Sequence, residues 1–184
     1  MRRAVLLIVL ISILLTGCAS STPQPERVSY TATYLTLFDT LTTIKGFAES
    51  EAEFQAMVQK IHDELEEYHQ LFDIYNDYDI PNLKTVNDSA GVAPVKVDER
   101  IIALLLDCKA YYELTNHKVN AAMGSILSLW HDARTHGIND PVNAALPDTN
   151  ALLLAAEHMD FSCVVINEAA STVFITDPDV SLDV

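Results

Sequence analysis

The fold is decided by residues 71–91, which read LFDIYNDYDIPNLKTVNDSAG. Aromatic and aliphatic residues are interspersed here with Asp and Asn, and Pro81 disfavours helical backbone at the residue before it. The final Asn-Asp-Ser-Ala-Gly has the composition of a turn. We therefore predict that a helix ends at this stretch and that an irregular, polar segment leads into the rest of the domain.

An amphipathic helix is predicted before this stretch. Ser50 and Glu53 have the spacing of a capping box, in which a hydroxyl and a carboxylate satisfy backbone N–H groups of the first turn. Apolar residues then recur every three or four positions, which predicts a helix of about twenty residues with one buried stripe. Further upstream, residues 30–47 are rich in Thr and aromatic residues and predict one long strand or two joined strands ending at Gly46.

Helices and short strands alternate after residue 91. The predicted elements are an extended segment at 95–97, helices at 98–116, 125–137 and 147–156, and strands at 163–166 and 172–175. Asp98 is a typical N-cap, and Gly137 is expected to close its helix. Residues 180–184 are mostly apolar and predict the beginning of another strand, so we expect the fold to continue past Val184. The order of elements indicates an α+β fold that is incomplete at the C-terminus.

The N-terminus has the pattern of an export signal. Arg2 and Arg3 precede an apolar run at 4–15, which as a helix rises about 18 Å and is too short for a bilayer core of roughly 30 Å. The ending Leu-Thr-Gly-Cys resembles a bacterial lipobox, which predicts that residues 1–17 are removed and that Cys18 carries lipid. An ordinary signal peptide with a chance cysteine is the alternative.

A tether is predicted between this lipid and the folded domain. Residues 18–29 are rich in Ser, Thr, Pro and Gln and have no apolar run, so the domain is expected to occupy residues 30–184. The pattern predicts an exported protein that is attached to a membrane by its N-terminal lipid and faces away from the cytoplasm.

Charge and cysteines exclude some functions. The chain has 26 acidic and 11 basic side chains, a net charge of −15, which disfavours nucleic acid as a partner. Cys108 and Cys163 lie in apolar stretches and are interpreted as buried thiols, although a disulfide between them stays open for an exported protein.

One helical face offers metal ligands. His62, Glu66, His69 and Asp73 follow at intervals that bring them to one side of a helix, if the helix extends that far. Imidazole and carboxylate groups bind Zn²⁺ and similar ions, so a lipid-anchored metal- or solute-binding protein is an alternative function. A solvated acidic stripe is the more ordinary interpretation of the same residues.

Two other kinds of segment suit a planar, charged ligand. The loop at 118–124 (KVNAAMG) has small residues before a helix, where backbone N–H groups favour phosphate. Phe38 and Tyr75 stand beside Asp39 and Asn76, and such rings stack on planar ligands. Each feature alone is more typical of a connecting loop or of a buried core.

Taken in order, these segments resemble the FAD:protein FMN transferase family, also called ApbE. The resemblance covers nearly the whole chain after the tether, and the lipobox agrees with it because many members are exported lipoproteins. The segments that carry it are Phe38-Asp39-Thr40, residues 71–78, 82–91, 94–97 and 119–124, Leu129-Trp130-His131 and Leu182-Asp183-Val184.

The resemblance implies a T-fold-like α+β flavin transferase. Its members split FAD at the pyrophosphate with Mg²⁺ and attach the FMN half to a Thr or Ser hydroxyl of a target protein, typically a subunit of a membrane redox complex. By motif position, the residues matched to FAD contacts are Phe38, Tyr75, Lys118, Val119, Asn120 and Asp183.

The same resemblance implies that the catalytic and magnesium-binding residues lie beyond Val184, so no catalytic residue and no metal ligand is assigned within this chain. We therefore expect the 184-residue chain on its own to lack transferase activity. Mg²⁺-dependent FMN transfer by the purified chain would contradict this expectation.

Overall fold

The computed structural model describes residues 26–184, which divide into two compact units at residues 26–61 and 62–184. Within this range, no helix has the length and apolar character needed to cross a membrane. The elements are β1 (Val28–Tyr34), β2 (Thr42–Ala48), α1 (Glu51–Phe72), α2 (Leu83–Asp88), β3 (Val95–Lys96), α3 (Glu99–Leu114), α4 (Gly124–Asn139), α5 (Thr149–Ala155), β4 (Val164–Asn167) and β5 (Thr172–Ile175), with short 3₁₀ turns at Pro141–Asn143 and Phe161–Cys163.

The first unit is a hairpin covered by the first half of α1. β1 pairs with β2 in an antiparallel register that places Val28 opposite Ala48. More and less exposed residues alternate along both strands, as expected for a sheet with one covered face. On that face Phe54 and Val58 of α1 are buried, and the ring of Tyr30 stacks on Phe54 with centroids 5.4 Å apart.

The N-terminus of α1 is capped by side chains, as predicted. The hydroxyl of Ser50 accepts a hydrogen bond from the backbone N–H of Glu53 at 3.2 Å. The carboxylate of Glu53 reaches one residue further back than predicted and accepts from the N–H of Glu49 at 2.9 Å. Donors that would lack partners in the first turn are thereby satisfied.

The second unit is built around a three-stranded antiparallel sheet in the order β3-β5-β4. Helices α2 and α3 and the end of α1 contribute buried side chains to the same core as this sheet. The largest fully buried side chains of that core are Leu71, Leu83, Val86, Ile101, Leu105, Phe161, Val173, Ile175 and Leu182. The central strand β5 therefore lies in the interior of the unit.

The sequence patterns missed the short helix α2. Asn82 is buried and caps it, since its side-chain oxygen accepts from the backbone N–H of Thr85 at 3.0 Å while the Thr85 hydroxyl accepts from the N–H of Asn82 at 3.2 Å. Pro81 does end the preceding segment, but it also places Asn82 where a new helix begins. Six residues are too few to show a helical period, so only this reciprocal cap marks the element.

Three predicted boundaries are corrected. β1 begins at Val28, so residues predicted to belong to the tether are already in a strand, ahead of the expected domain start at Tyr30. α4 runs through Gly137 to Asn139, because a glycine inside a helix costs only about 1 kcal/mol and does not by itself end it. Residues 180–184 form no strand, although their backbone is hydrogen-bonded to a neighbouring loop.

The α+β prediction is confirmed. Cys108 and Cys163 are free thiols that are half-buried rather than fully buried, and burial raises the pKa of Cys108. The predicted signal at residues 1–17 and the lipidated Cys18 lie outside the described residues.

Candidate functional site

A cavity of about 170 Å³ in the second unit brings together segments that are far apart in the chain. Two larger cavities, of about 310 and 380 Å³, contain none of the predicted site residues. The smaller cavity is named the Tyr75–Asp183 cavity after two predicted site residues that line it. Its lining includes Tyr75, Asn87, Gly124, His131, Ser181 and Asp183.

The turn after α1 presents Tyr75 to this cavity. Asp73 accepts hydrogen bonds from the backbone N–H groups of Tyr75 (2.6 Å) and Asn76 (3.1 Å), from the Asn76 side chain (2.8 Å) and from the Tyr78 hydroxyl (2.9 Å). Burial raises the pKa of Asp73, but these hydrogen bonds outweigh burial and hold the pKa below its usual value. The ionised carboxylate thus fixes a tight turn in which the ring of Tyr75 is half exposed.

Asn87 attaches the C-terminal segment to the same region. Its amide nitrogen donates to the carbonyl of Leu182 at 2.9 Å, and its amide oxygen accepts from the N–H of Leu182 at 2.8 Å. The side chain therefore satisfies both backbone groups of a residue that is completely buried.

The loop before α4 binds the same segment from another direction. The N–H of Gly124 donates to the carbonyl of Ser181 at 2.9 Å, and the N–H of Asp183 donates to the carbonyl of Ala121 at 2.8 Å. A Cβ atom on Gly124 would lie 2.6 Å from the Ser181 carbonyl oxygen, so this close approach requires glycine. Asp183 is thereby held at the rim of the cavity.

His131 on α4 contacts both predicted residues of the cavity. Its Nε2 lies 3.2 Å from Oδ2 of Asp183, and its ring meets the ring of Tyr75 edge-on with centroids 6.1 Å apart. The guanidinium of Arg134 lies 3.1 Å from the other ring nitrogen, Nδ1. His131 belongs to the Leu-Trp-His motif at residues 129–131, but no role follows from the sequence alone, because its partners Tyr75 and Asp183 are distant in the chain.

The remaining predicted contacts lie elsewhere. Lys118 and Val119 are exposed on the loop between α3 and α4 and do not line the cavity. The side chain of Asn120 is used within the protein, since it donates to the carbonyl of Met159 at 2.8 Å and accepts from the N–H of Ala122 at 2.9 Å. Phe38 lies in the hairpin connection of the first unit, where it is partly exposed with a φ of 55°.

The alternative metal face is not assembled. α1 ends at Phe72, so Asp73 has left the helix and its carboxylate is bound by the turn. Within residues 26–184, the one group of three potential metal ligands whose atoms lie within 4.8 Å of one another is His158, Asp177 and Asp179. It shares no residue with the predicted face.

The structure thus defines an α+β protein whose cavity is lined by an aromatic ring, an imidazole and two carboxylates, those of Asp132 and Asp183. Residues 36–184 match the ApbE family, and the chain belongs to that family. No curated protein sequence matches the chain.

Two solved structures share the fold. The ApbE protein of Thermotoga maritima superposes with a TM-score of 0.67 at 19% identity, over 85% of this chain and 47% of that one. The apo form of the flavinyl transferase ApbE of Pseudomonas stutzeri superposes with a TM-score of 0.65 at 12% identity, over 87% of this chain and 50% of that one. The present chain therefore spans about half the length of each.

The close approach at Gly124 can be tested with a matched pair of substitutions on one helix. We expect Gly124→Ala to lower the free energy of unfolding by about 1–3 kcal/mol, because its methyl group meets backbone that must move. Gly137→Ala is the control, since its nearest neighbour is a side-chain methyl at 3.3 Å and alanine favours a helix interior by up to about 1 kcal/mol. Urea unfolding measures both, and equal stability of the two variants would contradict the interpretation.

The pair of His158 and Asp177 predicts a pH dependence of stability. The two side chains lie 2.9 Å apart, and the hydrogen bond raises the pKa of His158 and lowers the pKa of Asp177. The contribution of His158 to stability is complete below its unfolded pKa, about 6.5, and is lost as pH rises through its raised folded pKa. The contribution of Asp177 is complete above its unfolded pKa, about 3.9, and is lost as pH falls through its lowered folded pKa.

The stability difference between wild type and His158→Ala should therefore be largest between about pH 4 and 6.5. Thermal unfolding across the pH range measures it, with His136→Ala at an exposed position as the control. A difference that stayed constant up to about pH 9 would show that the pair contributes nothing.

Proposed function

We propose that this chain forms part of a Mg²⁺-dependent transferase that moves FMN from FAD to a Thr or Ser hydroxyl of a target protein. The supporting observation is that the chain matches the ApbE family over residues 36–184 and has a cavity that Tyr75 and Asp183 both line. Because the chain spans about half of each solved relative, FAD, the acceptor protein and the activity are proposed for the whole protein.

The proposed reaction is a phosphoryl transfer. The hydroxyl oxygen of the acceptor forms a bond to the phosphorus of the FMN half while the P–O bond of the pyrophosphate breaks and AMP leaves with the bonding electrons. The proton of the hydroxyl is released to AMP or to solvent. Such a reaction depends on positioning and on compensation of negative charge rather than on a covalent enzyme intermediate. The role proposed for the described residues is to hold the dinucleotide.

The cavity suits one end of that dinucleotide. Its volume of about 170 Å³ is below the roughly 300 Å³ at which small-molecule pockets begin, so it holds part of a ring system rather than all of FAD. Tyr75 offers a half-exposed ring for stacking, and Asp183 offers an acceptor for an N–H group. The ammonium group of Lys118, which is exposed on the loop before α4, is the group that we propose for the pyrophosphate.

Magnesium is part of the proposal, and its ligands are expected outside the described residues. Mg²⁺ prefers oxygen ligands in octahedral geometry. The group of His158, Asp177 and Asp179 contains an imidazole, and none of its members lines the cavity. No ligand is therefore assigned between residues 26 and 184, and no step is written through the metal.

We also propose that the protein is exported and attached to a membrane through lipid on Cys18, on the basis of the lipobox pattern at residues 15–18. Cys18→Ala should abolish incorporation of a labelled fatty acid and release the protein from sedimented membranes. Cys108→Ala is the control, since this thiol lies in the folded domain. Unchanged labelling of the Cys18→Ala protein would rule out this anchor.

FAD binding tests the proposed function directly. In the full-length protein, Tyr75→Ala should weaken FAD binding about tenfold, since a stacked aromatic pair contributes about 0.5–1.5 kcal/mol beyond area burial and tenfold corresponds to 1.4 kcal/mol. Tyr75→Phe should retain most of the affinity. Quenching of flavin fluorescence measures both.

Tyr111→Ala is the matched control, because this tyrosine is equally exposed on α3 and does not line the cavity. A full-length protein that binds no FAD would refute the proposed function. A protein that binds FAD equally well with and without the ring of Tyr75 would remove this residue from the site.

A further inference from the structure

His131 has two defined partners at the Tyr75–Asp183 cavity. Its Nε2 lies 3.2 Å from Oδ2 of Asp183, and its Nδ1 lies 3.1 Å from Nη2 of Arg134, one helical turn further along α4. The side chains of His131 and Asp183 are 30% and 18% exposed, so water competes only partly for their hydrogen bond. Both ring nitrogens are thus engaged by groups of opposite hydrogen-bonding character.

These contacts determine the tautomer of His131. A guanidinium group has only donors and stays protonated, so Nδ1 must accept from Arg134 and carries no hydrogen. The hydrogen of the neutral imidazole then lies on Nε2, which donates to the carboxylate of Asp183. The three side chains form a directed chain of hydrogen bonds from arginine to histidine to aspartate.

The chain of hydrogen bonds fixes Oδ2 of Asp183 and leaves Oδ1 available to a ligand. The backbone N–H of Asp183 is already bound to the carbonyl of Ala121, so this residue is held at its main chain and at Oδ2. Among residues 26–184, no hydrogen bond is made to Oδ1. Because Asp183 lines the cavity and a carboxylate only accepts, the group that complements Oδ1 is a hydrogen-bond donor on a ligand, and a planar N–H donor also suits the neighbouring ring of Tyr75.

We propose that His131, held as the Nε2–H tautomer by Arg134, is a positioning residue that orients Asp183 so that Oδ1 accepts from an N–H group of the bound dinucleotide. This inference rests on the proposed function. FAD carries two such groups, the imide N–H of the isoalloxazine ring and the amino group of adenine. Both are planar donors, and both suit a cavity that also contains the ring of Tyr75.

The first experiment measures FAD binding to the full-length protein with His131 replaced by Phe or by Gln. Phenylalanine keeps a ring but has no hydrogen-bonding atoms, so it cannot orient Asp183. His131→Phe should therefore weaken FAD binding about tenfold, as expected when the charge-assisted hydrogen bond from the ligand to Asp183 is lost. Glutamine carries an acceptor for Arg134 and a donor for Asp183, so His131→Gln should restore most of the affinity. Riboflavin and AMP as separate probes identify the half of FAD whose binding depends on His131.

The second experiment determines the tautomer in the unliganded wild-type protein by ¹H–¹⁵N NMR of the imidazole nitrogens. We expect hydrogen on Nε2 and none on Nδ1, a result that a merely space-filling histidine does not require. Hydrogen on Nδ1 would overturn the proposal, even if the Phe variant failed to fold. If both the Phe and the Gln variant bind FAD as tightly as wild type does, the positioning role is wrong while the proposed function stands. If wild type binds no FAD, the proposed function itself fails.

Discussion

The attachment of residues 181–183 to two separate parts of the second unit is the constraint on which the candidate site depends. Asn87 binds both backbone groups of Leu182, and the loop before α4 pairs with the residues on either side of it. Leu182 is completely buried in the core that contains β5. Because a buried backbone needs partners for its N–H and C=O groups, these contacts leave the segment little freedom and so determine where Asp183 stands.

The opposite wall of the cavity is determined by polar side chains that bind backbone. Asp73 gathers the turn that carries Tyr75, and Asn82 donates to the carbonyl of Asn76 at 2.9 Å while it caps α2. Asp73 and Asn82 therefore have structural roles and not binding roles, since their hydrogen bonds are made within the protein. The ring of Tyr75 is half exposed on this turn and meets the ring of His131 edge-on.

The sequence was sufficient for the long elements and for part of the site. Periodicity and caps predicted α1, α3 and α5 and the strands β4 and β5, because their spacing and terminal residues reflect local physics. Asn120 shows the limit: its side-chain amide donates to the Met159 carbonyl, and no sequence pattern reveals which backbone group an amide will find. His131 was missed for a similar reason, since its pairing with Asp183 spans 52 positions of the chain.

This organisation explains how the fold tolerates wide differences in sequence. The two solved relatives superpose on this chain with TM-scores of 0.67 and 0.65 at 19% and 12% identity. Two of the four hydrogen bonds that hold the main chain of residues 181–183 join backbone to backbone, which demands little of the side chains involved. The other two come from the amide of Asn87, and the missing Cβ of Gly124 is the further demand on sequence. Side chains around the cavity can therefore differ without moving its frame, and a local partner such as His131 can adjust how one carboxylate is presented to a ligand.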